Sequence, residues 1–543
     1  MATQPAQLAT NTIEAYKASK GGDGLRIRED IPRFVRDGWA SLTAADKELL
    51  KWVGVFFRKP TPGAFMMRIR MPNGFTSSEQ LRTIADLSRR LGNCVLDITT
   101  RQQVQLRGFV IGSVPEIWEK LRGVNLHSLQ TGLDNVRNIN GCALAGLTAD
   151  ELVNASPVVF ELDRMLVGSA GNPEFTNLPR KFNVTITGCM ANCTHNESQD
   201  IALVPARKAG QPGFNILVGG KMGSGGFTIA SPLDVFVGLE EAAAVTGELI
   251  RIYRDHGPRE ARSKCRFAFL IEQWGLERLR AELSTRLGGE LRTAGADARR
   301  AEQTDHLGSA NQKQSGLASV GLCVPQGRLH PDQADELARL ADHYGDGQVR
   351  LTTAQNAILV NVPLERVPKL VREPLMRQLS PAPSAFFRGM VACTGTDFCN
   401  LAQVQTKKLA AELSRALEQR LGKQDGRLTM HWSGCPAGCG NHEAADIGFR
   451  GMKVNIGGKL VEAVAIYVGG RTGPEAVTGE QVLDAVPCDD SLPDVVADVI
   501  ERFDLLRQRS HHPANQSAPL VRIENACMFP KSELEERPSL GGI

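Results

Sequence analysis

The 543 residues carry a net charge of +3, with 42% hydrophobic and 23% charged side chains, an ordinary balance for a globular protein of roughly three or four domains with a large core. So small a charge gives no global pull toward nucleic acid or a membrane surface, and no apolar run reaches the roughly 18 residues of a membrane span. The opening MATQPAQLATNTIEAYKASKGGDG has no apolar core behind a basic start; it does not read as a secretory signal, and a reducing, cytoplasmic setting is expected. There the 12 cysteines read as metal ligands ahead of disulfides.

In chain order, the first clear pattern starts at Arg70, in RMPNGFTSSEQLRTIADLSRRLGNCVLDITTRQQVQLRG. It reads strand, Pro/Gly turn, amphipathic helix, Gly turn, strand. Leu81, Ile84, Leu87 and Leu91, three and four apart, mark one helical side. From Cys323 the pattern returns without a gap: Pro72, Gly74, Gly92 and Gln102 recur as Pro325, Gly327, Gly345 and Gln355. A second repeat pairs TGCMANCTHNESQDI, from Thr187, with SGCPAGCGNHEAADI, from Ser433. Cys189 then matches Cys435, Cys193 matches Cys439, and Asp200 matches Asp446; LVGG from Leu217 matches YVGG from Tyr467. An α+β protein of two homologous halves follows, with the polar, Gly-rich stretch 286–316 as the hinge between them. The halves differ in charge. Arg68, Arg70, Arg101 and Arg107 face Gly321, Cys323, Ala354 and Val360 in the second copy. Drift on a solvated surface explains this less well than a division of labour, in which the first half binds anions and the second holds metal.

Cys393 and Cys399 are separated by five intervening residues, and Cys435 and Cys439 by three. Four thiolates in two pairs suit either Zn2+ or a cubane iron–sulfur cluster. The long first gap, and the glycines 434, 438 and 440 around the second pair, favour the bulkier cluster.

The segments WVGVFFRKPTPG, FMMRIRMPNG, TTRQQVQLRG, NLPRKFN, ACTGTDFC and SGCPAGCGNHEAADIGF occur in this order. Together they resemble the nitrite and sulfite reductase family over nearly the whole chain. The resemblance implies two pseudo-symmetric halves, each a ferredoxin-like repeat plus a haemoprotein α/β domain. Its segments would be an N-terminal extension 1–62, a half-domain 63–130, a sirohaem and substrate domain 131–300, a second half-domain 310–380, a 4Fe-4S and sirohaem domain 381–505, and a tail 506–543. It implies one [4Fe-4S] cluster on Cys393, Cys399, Cys435 and Cys439, and one sirohaem whose iron shares the Cys439 sulfur. Arg68, Arg137, Lys181 and Asn183 would surround the substrate, with Lys181 as general acid. Arg101, Gln105 and Arg107, placed with Gln103 on one side of a strand by its period of two, would meet the haem carboxylates; Lys221 and Arg471 are weaker candidates.

Sulfite reductases resembling this chain carry Lys where Asn183 stands. Sulfite is a dianion and takes one more cation than nitrite, so Asn183 and the TGTDFC segment point to six-electron reduction of nitrite to ammonia. Assimilatory sulfite reduction is the alternative, and a non-catalytic, zinc-stapled protein is the alternative from another class. The Gly-rich GKMGSGG from Gly220 lacks the context of a nucleotide loop. The electron donor is therefore expected to be ferredoxin or a similar small acidic carrier, received by a basic helix side of Lys407, Lys408, Arg415 and Arg420. A monomer is expected. Cys142, Cys189 and Cys193 supply three of four ligand positions, with no partner for Cys399 near Thr148; they read as a relic of duplication whose thiols pack, with a second metal site as the alternative. His195 and His442 read as packing or hydrogen-bonding residues. His511, His512 and Cys527 fall in a polar tail.

Overall fold

The computed structural model describes residues 11–223 and 226–506; His511, His512 and Cys527 lie outside them. The two copies of the Arg70 pattern form two five-stranded sheets that exchange a strand. In the first, Val55–Phe57, Phe65–Arg68, Val104–Phe109 and Leu96–Ile98 lie side by side, and Arg328–Leu329 of the second copy completes the sheet. In the second, Gly308–Asn311, Leu317–Leu322, Ala357–Pro363 and Gln348–Leu351 are completed by Phe75–Ser77 of the first. Edge strands that would otherwise be open are thereby paired. The helices Ser78–Arg90 and Pro331–Tyr344 pack together, and one apolar core runs through both copies, from Leu81, Ile84 and Leu87 to Leu337, Leu340 and Leu359.

Local chemistry explains the matching starts. Ser77 and Gln80 form a reciprocal capping box, as do His330 and Gln333. Asn73 and Gln326, in the Pro turns, have φ of 56° and 55°, and the following Gly74 and Gly327 have 70° and 63°. Gln102 Nε2 donates to the carbonyls of Gly141 and Leu351, both at 3.0 Å. Its repeat mate Gln355 donates to the Ile98 carbonyl at 2.9 Å and accepts the Ala392 N–H at 2.9 Å. Each repeat glutamine thus binds a strand end of the other copy and anchors the residue before Cys142 or Cys393.

The remaining two sheets carry the cysteine segments. One contains Val184–Ile186, Ile201–Lys208, Gln211–Val218 and Ser231–Val237, with Ala296–Asp297 on its edge; the other orders Gly389–Ala392, Thr429–Ser433, Ile447–Ile456, Lys459–Val468 and Glu480–Pro487. In both, the CxxxC loop leaves the carboxyl end of a strand in parallel pairing, where open sheets offer a crevice. The observed fold is the two-half α+β architecture expected from the repeats.

The segment before the first sheet is packed onto the body. Trp52 is buried and donates to the Thr176 carbonyl at 2.8 Å, and Lys17 donates to that of Leu178 at 2.9 Å. The expected hinge is also laced down: Ala296–Asp297 pairs with Ile201–Lys208, Arg299 pairs with Glu197, and Asp305 with Arg388 at 2.7 Å.

A Cβ added at Gly74 would lie 2.2 Å from the Leu351 carbonyl oxygen, whereas one at Gly112 meets nothing within 4 Å. Gly74→Ala is expected to cost at least ~1–3 kcal/mol and to lower the unfolding midpoint measured by circular dichroism; Gly112→Ala is expected to leave it within a degree or so.

Candidate cluster and anion site

Two thiol-bearing loops leave neighbouring parallel strands at the same end. Ala392 lies opposite Trp432 in the register, and Cys393 and Gly434 follow closely. Cys393 Sγ accepts the Gly434 N–H at 3.1 Å, and the Gln403 N–H donates to the Gly434 carbonyl at 2.7 Å. Cys435 feels the charges of Cys439, Cys399 and Cys393, so the four sulfurs share one neighbourhood. Burial, with the charge of neighbouring thiolates, pushes Cys393 up to about 11 and Cys435 up to about 12. Thiols raised in this way, as Cys393 and Cys435 are, become thiolates readily when a cation is among them. Among the described residues no three of these sulfurs lie within 4.8 Å of one another. Thiolates on a single zinc stand about 3.8 Å apart, given Zn–S near 2.3 Å. The spacing suits a group wider than one ion.

Cys439 is the exposed thiol of the four. Its charge is felt by Arg58, Arg68, Arg101 and Lys181, and Arg137 adjoins Arg68 and Arg101. These five side chains are half-buried. Among the described residues, none has a carboxylate at ion-pair distance. Arg68 and Arg137 both donate to the Thr131 carbonyl, at 3.0 and 2.7 Å, and Arg68 lies over the Phe56 ring. The Nε atoms of Arg58 and Arg68 are buried without a hydrogen-bond partner. Burial and mutual repulsion push Arg68 down to about 9 and Arg58 to about 10, and hold Lys181 well below the usual lysine value. Such crowding is costly unless anions sit among the cations. The donor set fits sirohaem: unpaired guanidinium N–H groups for its carboxylates, beside an exposed thiol able to reach an iron.

Asn183 is tied into this group. Its side-chain oxygen accepts Arg101 Nε at 3.1 Å, and its backbone N–H donates to Asp200 at 2.8 Å. Asp200 is fully buried and pairs with Arg266 at 2.8 Å. Sequence repetition pointed to Asp200 through Asp446, which accepts the Thr429 N–H at 2.7 Å in the same way.

Several residues stand differently from the sequence reading. Arg70 is no anion binder: it is buried, pairs with Asp163 at 2.6 Å and donates to the Val136 carbonyl. Arg107, expected at the haem periphery, is buried against Asp97 at 2.5 Å, donates to Gln105 and to Thr394, and lies over the Phe398 ring. It joins its strand to the loop between Cys393 and Cys399, and Gln105 is held by it. Arg101 precedes the Val104–Phe109 strand, in a turn where Gln102 has φ of 57°, so strand alternation does not govern it. Lys407 is buried, donating to the Gln326 carbonyl 3.6 Å from Asp97, which removes it from the basic helix side. Of the others there, Lys408 is 3.8 Å from Glu412, Arg420 pairs with Asp494, and Arg415 is exposed. Lys221 is buried over Phe269, and Arg471 is half-exposed beside Glu475. His442 Nδ1 lies 2.9 Å from Ser433 Oγ, and His195 packs on His431, as packing residues should. Asp97 and Arg58 carried no separate signal in the sequence.

The chain matches the family described as nitrite and sulphite reductase 4Fe-4S domain over residues 132–291 and 384–515. It matches the nitrite/sulfite reductase ferredoxin-like half domain over 57–124 and 310–377. It is 43% identical to a ferredoxin-nitrite reductase of Synechococcus elongatus, covering 92% of this chain and 98% of that one. To the chloroplastic ferredoxin-nitrite reductase of Zea mays it is 44% identical, covering 86% and 83%. The solved structure of Mycobacterium tuberculosis NirA protein superposes with a TM-score of 0.85 at 29% identity, covering 93% of this chain and 95% of that one.

Asp97 anchors the site's scaffold. Burial would raise its pKa, but Lys407, Arg107 and Arg328 outweigh this and hold it below the usual carboxylate range. Its contribution to stability is therefore complete above the unfolded value near 3.9 and lost as pH falls toward the folded one. Asp97→Asn leaves two buried cations short of a partner and is expected to cost roughly 3–5 kcal/mol at neutral pH. Thermal melts between neutral and acid pH should show this gap narrowing as the wild type is acidified.

Proposed function

We propose that this chain, which belongs to the nitrite and sulfite reductase family, is a ferredoxin-dependent nitrite reductase that forms ammonia in nitrate assimilation. The observation that carries the reading is the group of five half-buried cations, Arg58, Arg68, Arg101, Arg137 and Lys181, gathered around the exposed Cys439 with no carboxylate at ion-pair distance among the described residues. The relatives named for nitrite reduction support the substrate and the donor. Cys393, Cys399, Cys435 and Cys439 would hold the [4Fe-4S] cluster, and Cys439 would also reach the sirohaem iron. Arg58 and Arg101 would meet the sirohaem carboxylates. When bound, the cluster and the sirohaem would supply electrons singly to the oxyanion.

The protein's own part is charge and protons. Arg68, Arg137, Lys181 and Asn183 receive the anion, each charged hydrogen bond contributing roughly 1.5–3 kcal/mol. Asn183 has its oxygen committed to Arg101, so it meets the anion as a neutral N–H donor, which favours a monoanion over a dianion. Lys181 holds its proton weakly because burial and the nearby Arg266, Arg101 and Arg137 disfavour the ammonium. A proton at Lys181 Nζ is therefore readily given to a departing oxygen. Residues 63–300 supply the groups that face the substrate anion, Arg58 comes from the segment before them, and 310–505 supply the thiolates. Arg415, exposed on the helix Thr406–Leu421 beside the cluster loop, is the side chain kept from that helix for meeting an acidic donor. Among the described residues no helix is long and apolar enough to cross a membrane; the reading keeps the monomeric, cytoplasmic protein expected from the sequence.

Turnover driven by reduced methyl viologen is expected to be faster with nitrite than with sulfite, and a sulfite rate equal to or above the nitrite rate would sink the assignment. Asn183→Lys is expected to raise the sulfite-to-nitrite rate ratio by about tenfold, the worth of one charged contact. Lys181→Met should lower kcat on nitrite by roughly 10²–10⁴-fold, with iron and acid-labile sulfide unchanged.

A further inference from the structure

Three thiols that the proposed reduction does not use meet a histidine in the first half of the molecule. Cys142, Cys189, Cys193 and His306 bring three sulfurs and a ring nitrogen within 4.8 Å of one another, and Cys142 Sγ stands 3.3 Å from His306 Nε2. We propose that these four side chains hold one Zn2+ ion in a closed structural site. Zn–S near 2.3 Å and Zn–N near 2.0–2.1 Å place tetrahedral ligand atoms about 3.5–3.8 Å apart. With every pair of ligand atoms inside 4.8 Å and one pair at 3.3 Å, the group is within reach of that span, whereas no three of the cluster thiols lie so close together. Three thiolates and one imidazole fill all four positions, which is the closed arrangement of structural zinc. A donor set of soft sulfur and imidazole also suits zinc better than a hard, oxygen-seeking cation.

The fold presents these ligands as it presents the cluster's. Gly141, before Cys142, has its N–H and carbonyl bound by Gln102 at 3.1 and 3.0 Å, and Ala392, before Cys393, has its N–H bound by Gln355 at 2.9 Å. Thr353 Oγ1 donates to the Cys193 carbonyl at 3.3 Å, and Thr100 Oγ1 to the Cys439 carbonyl at the same distance. Where the repeat lacks a mate for Cys399, the fourth ligand comes from elsewhere: the connector between the halves. That connector is held along the CxxxC loop by Arg300 N–H to the Met190 carbonyl at 2.8 Å and Thr304 N–H to that of Ala191 at 3.1 Å. Buried Asp305 pairs with Arg388, at 2.7 and 2.9 Å. His306 itself has φ of 58°, a conformation that costs an L-residue roughly 1–2 kcal/mol. Gly321 makes room for it, since a Cβ there would lie 1.9 Å from the His306 carbonyl oxygen. Thiols that merely pack require none of this; a ligand that must point at three sulfurs does. The ion would clamp the connector to the first half. None of its four ligands belongs to the cluster, so the inference stands apart from the proposed activity.

The test uses the full chain purified from cells supplied with zinc and iron, with zinc, iron and acid-labile sulfide counted separately. The wild type is expected to carry about one zinc per chain, with an X-ray absorption shell of three sulfurs and one nitrogen. His306→Ala and Cys193→Ser are each expected to lower zinc by about tenfold or more, with iron and sulfide unchanged. Should either variant fail to accumulate, His306→Cys keeps four ligands and is expected to fold and retain zinc. Zinc below about a tenth per chain in the wild type overturns the proposal, whether the thiols prove free or oxidised. So does zinc that is indifferent to both substitutions, iron that falls in place of zinc, or a folded His306→Cys protein without zinc.

Discussion

Repulsion among like charges is the constraint around which this molecule is organised. Arg58, Arg68, Arg101, Arg137 and Lys181 crowd beside Cys439, and among the described residues none has a carboxylate at ion-pair distance, Asp134 acting on Arg137 only from farther off. Their neighbours in the scaffold are treated in the opposite way. Arg70 has Asp163, Arg107 has Asp97, Arg262 has Asp134 and Arg266 has Asp200, at 2.5–2.8 Å. A buried cation whose partner is built in belongs to the framework; one whose partner is withheld keeps its charge for something that arrives. The same sequence of arginines contains both kinds, and only the pairing tells them apart.

That difference sets the boundary of what the sequence could say. The repeat located Gln102 and Gln355, the two CxxxC loops and the capping boxes, because those features depend on local spacing that duplication preserved. The family resemblance, and not the repeat, singled out Arg68, Arg137, Lys181 and Asn183. Periodicity failed at Arg101, where a left-handed Gln102 interrupts the alternation, and charge counting failed at Arg70 and Arg107, whose carboxylates lie 93 and 10 residues away in the chain. Lys407 looked like the next member of a basic helix side, yet a single turn of that helix places it beneath the surface near Asp97. His306 could not be found by comparing the halves, because it lies in the connector, which has no counterpart.

Duplication followed by divergence explains why two similar loop pairs serve different ends. In the second half, thiols at the equivalents of Cys142, Cys189 and Cys193 are joined by Cys399 and stand wide. In the first half the equivalent of Cys399 is absent, a histidine enters from the connector, and the sulfurs close in to within 4.8 Å of each other and of its ring nitrogen. Losing one ligand from a wide site does not leave a smaller copy of it. It leaves a site whose geometry is reset by whatever fills the gap, and an imidazole on a tightly tethered connector resets it to the scale of one ion.

The division of labour also places a demand on the joint between the halves. The cations come from residues before 182 and the thiolates from residues after 392, so their spacing is only as fixed as the relation of one half to the other. Each half lends the other an edge strand, Phe75–Ser77 in one direction and Arg328–Leu329 in the other. Gln102 and Gln355 then tie the strand ends to the segments entering the cysteine loops, and Arg328 of the second copy shares Asp97 with Arg107 of the first, at 2.8 Å. A slide of one residue in either exchanged strand would turn its side chains to the wrong side of the sheet and break the glutamine bonds together. The register that completes the two sheets is thus the same register that holds Lys181 and Asn183 opposite Cys439, and a substitution loosening that register should be felt first as misplaced chemistry and only later as lost fold.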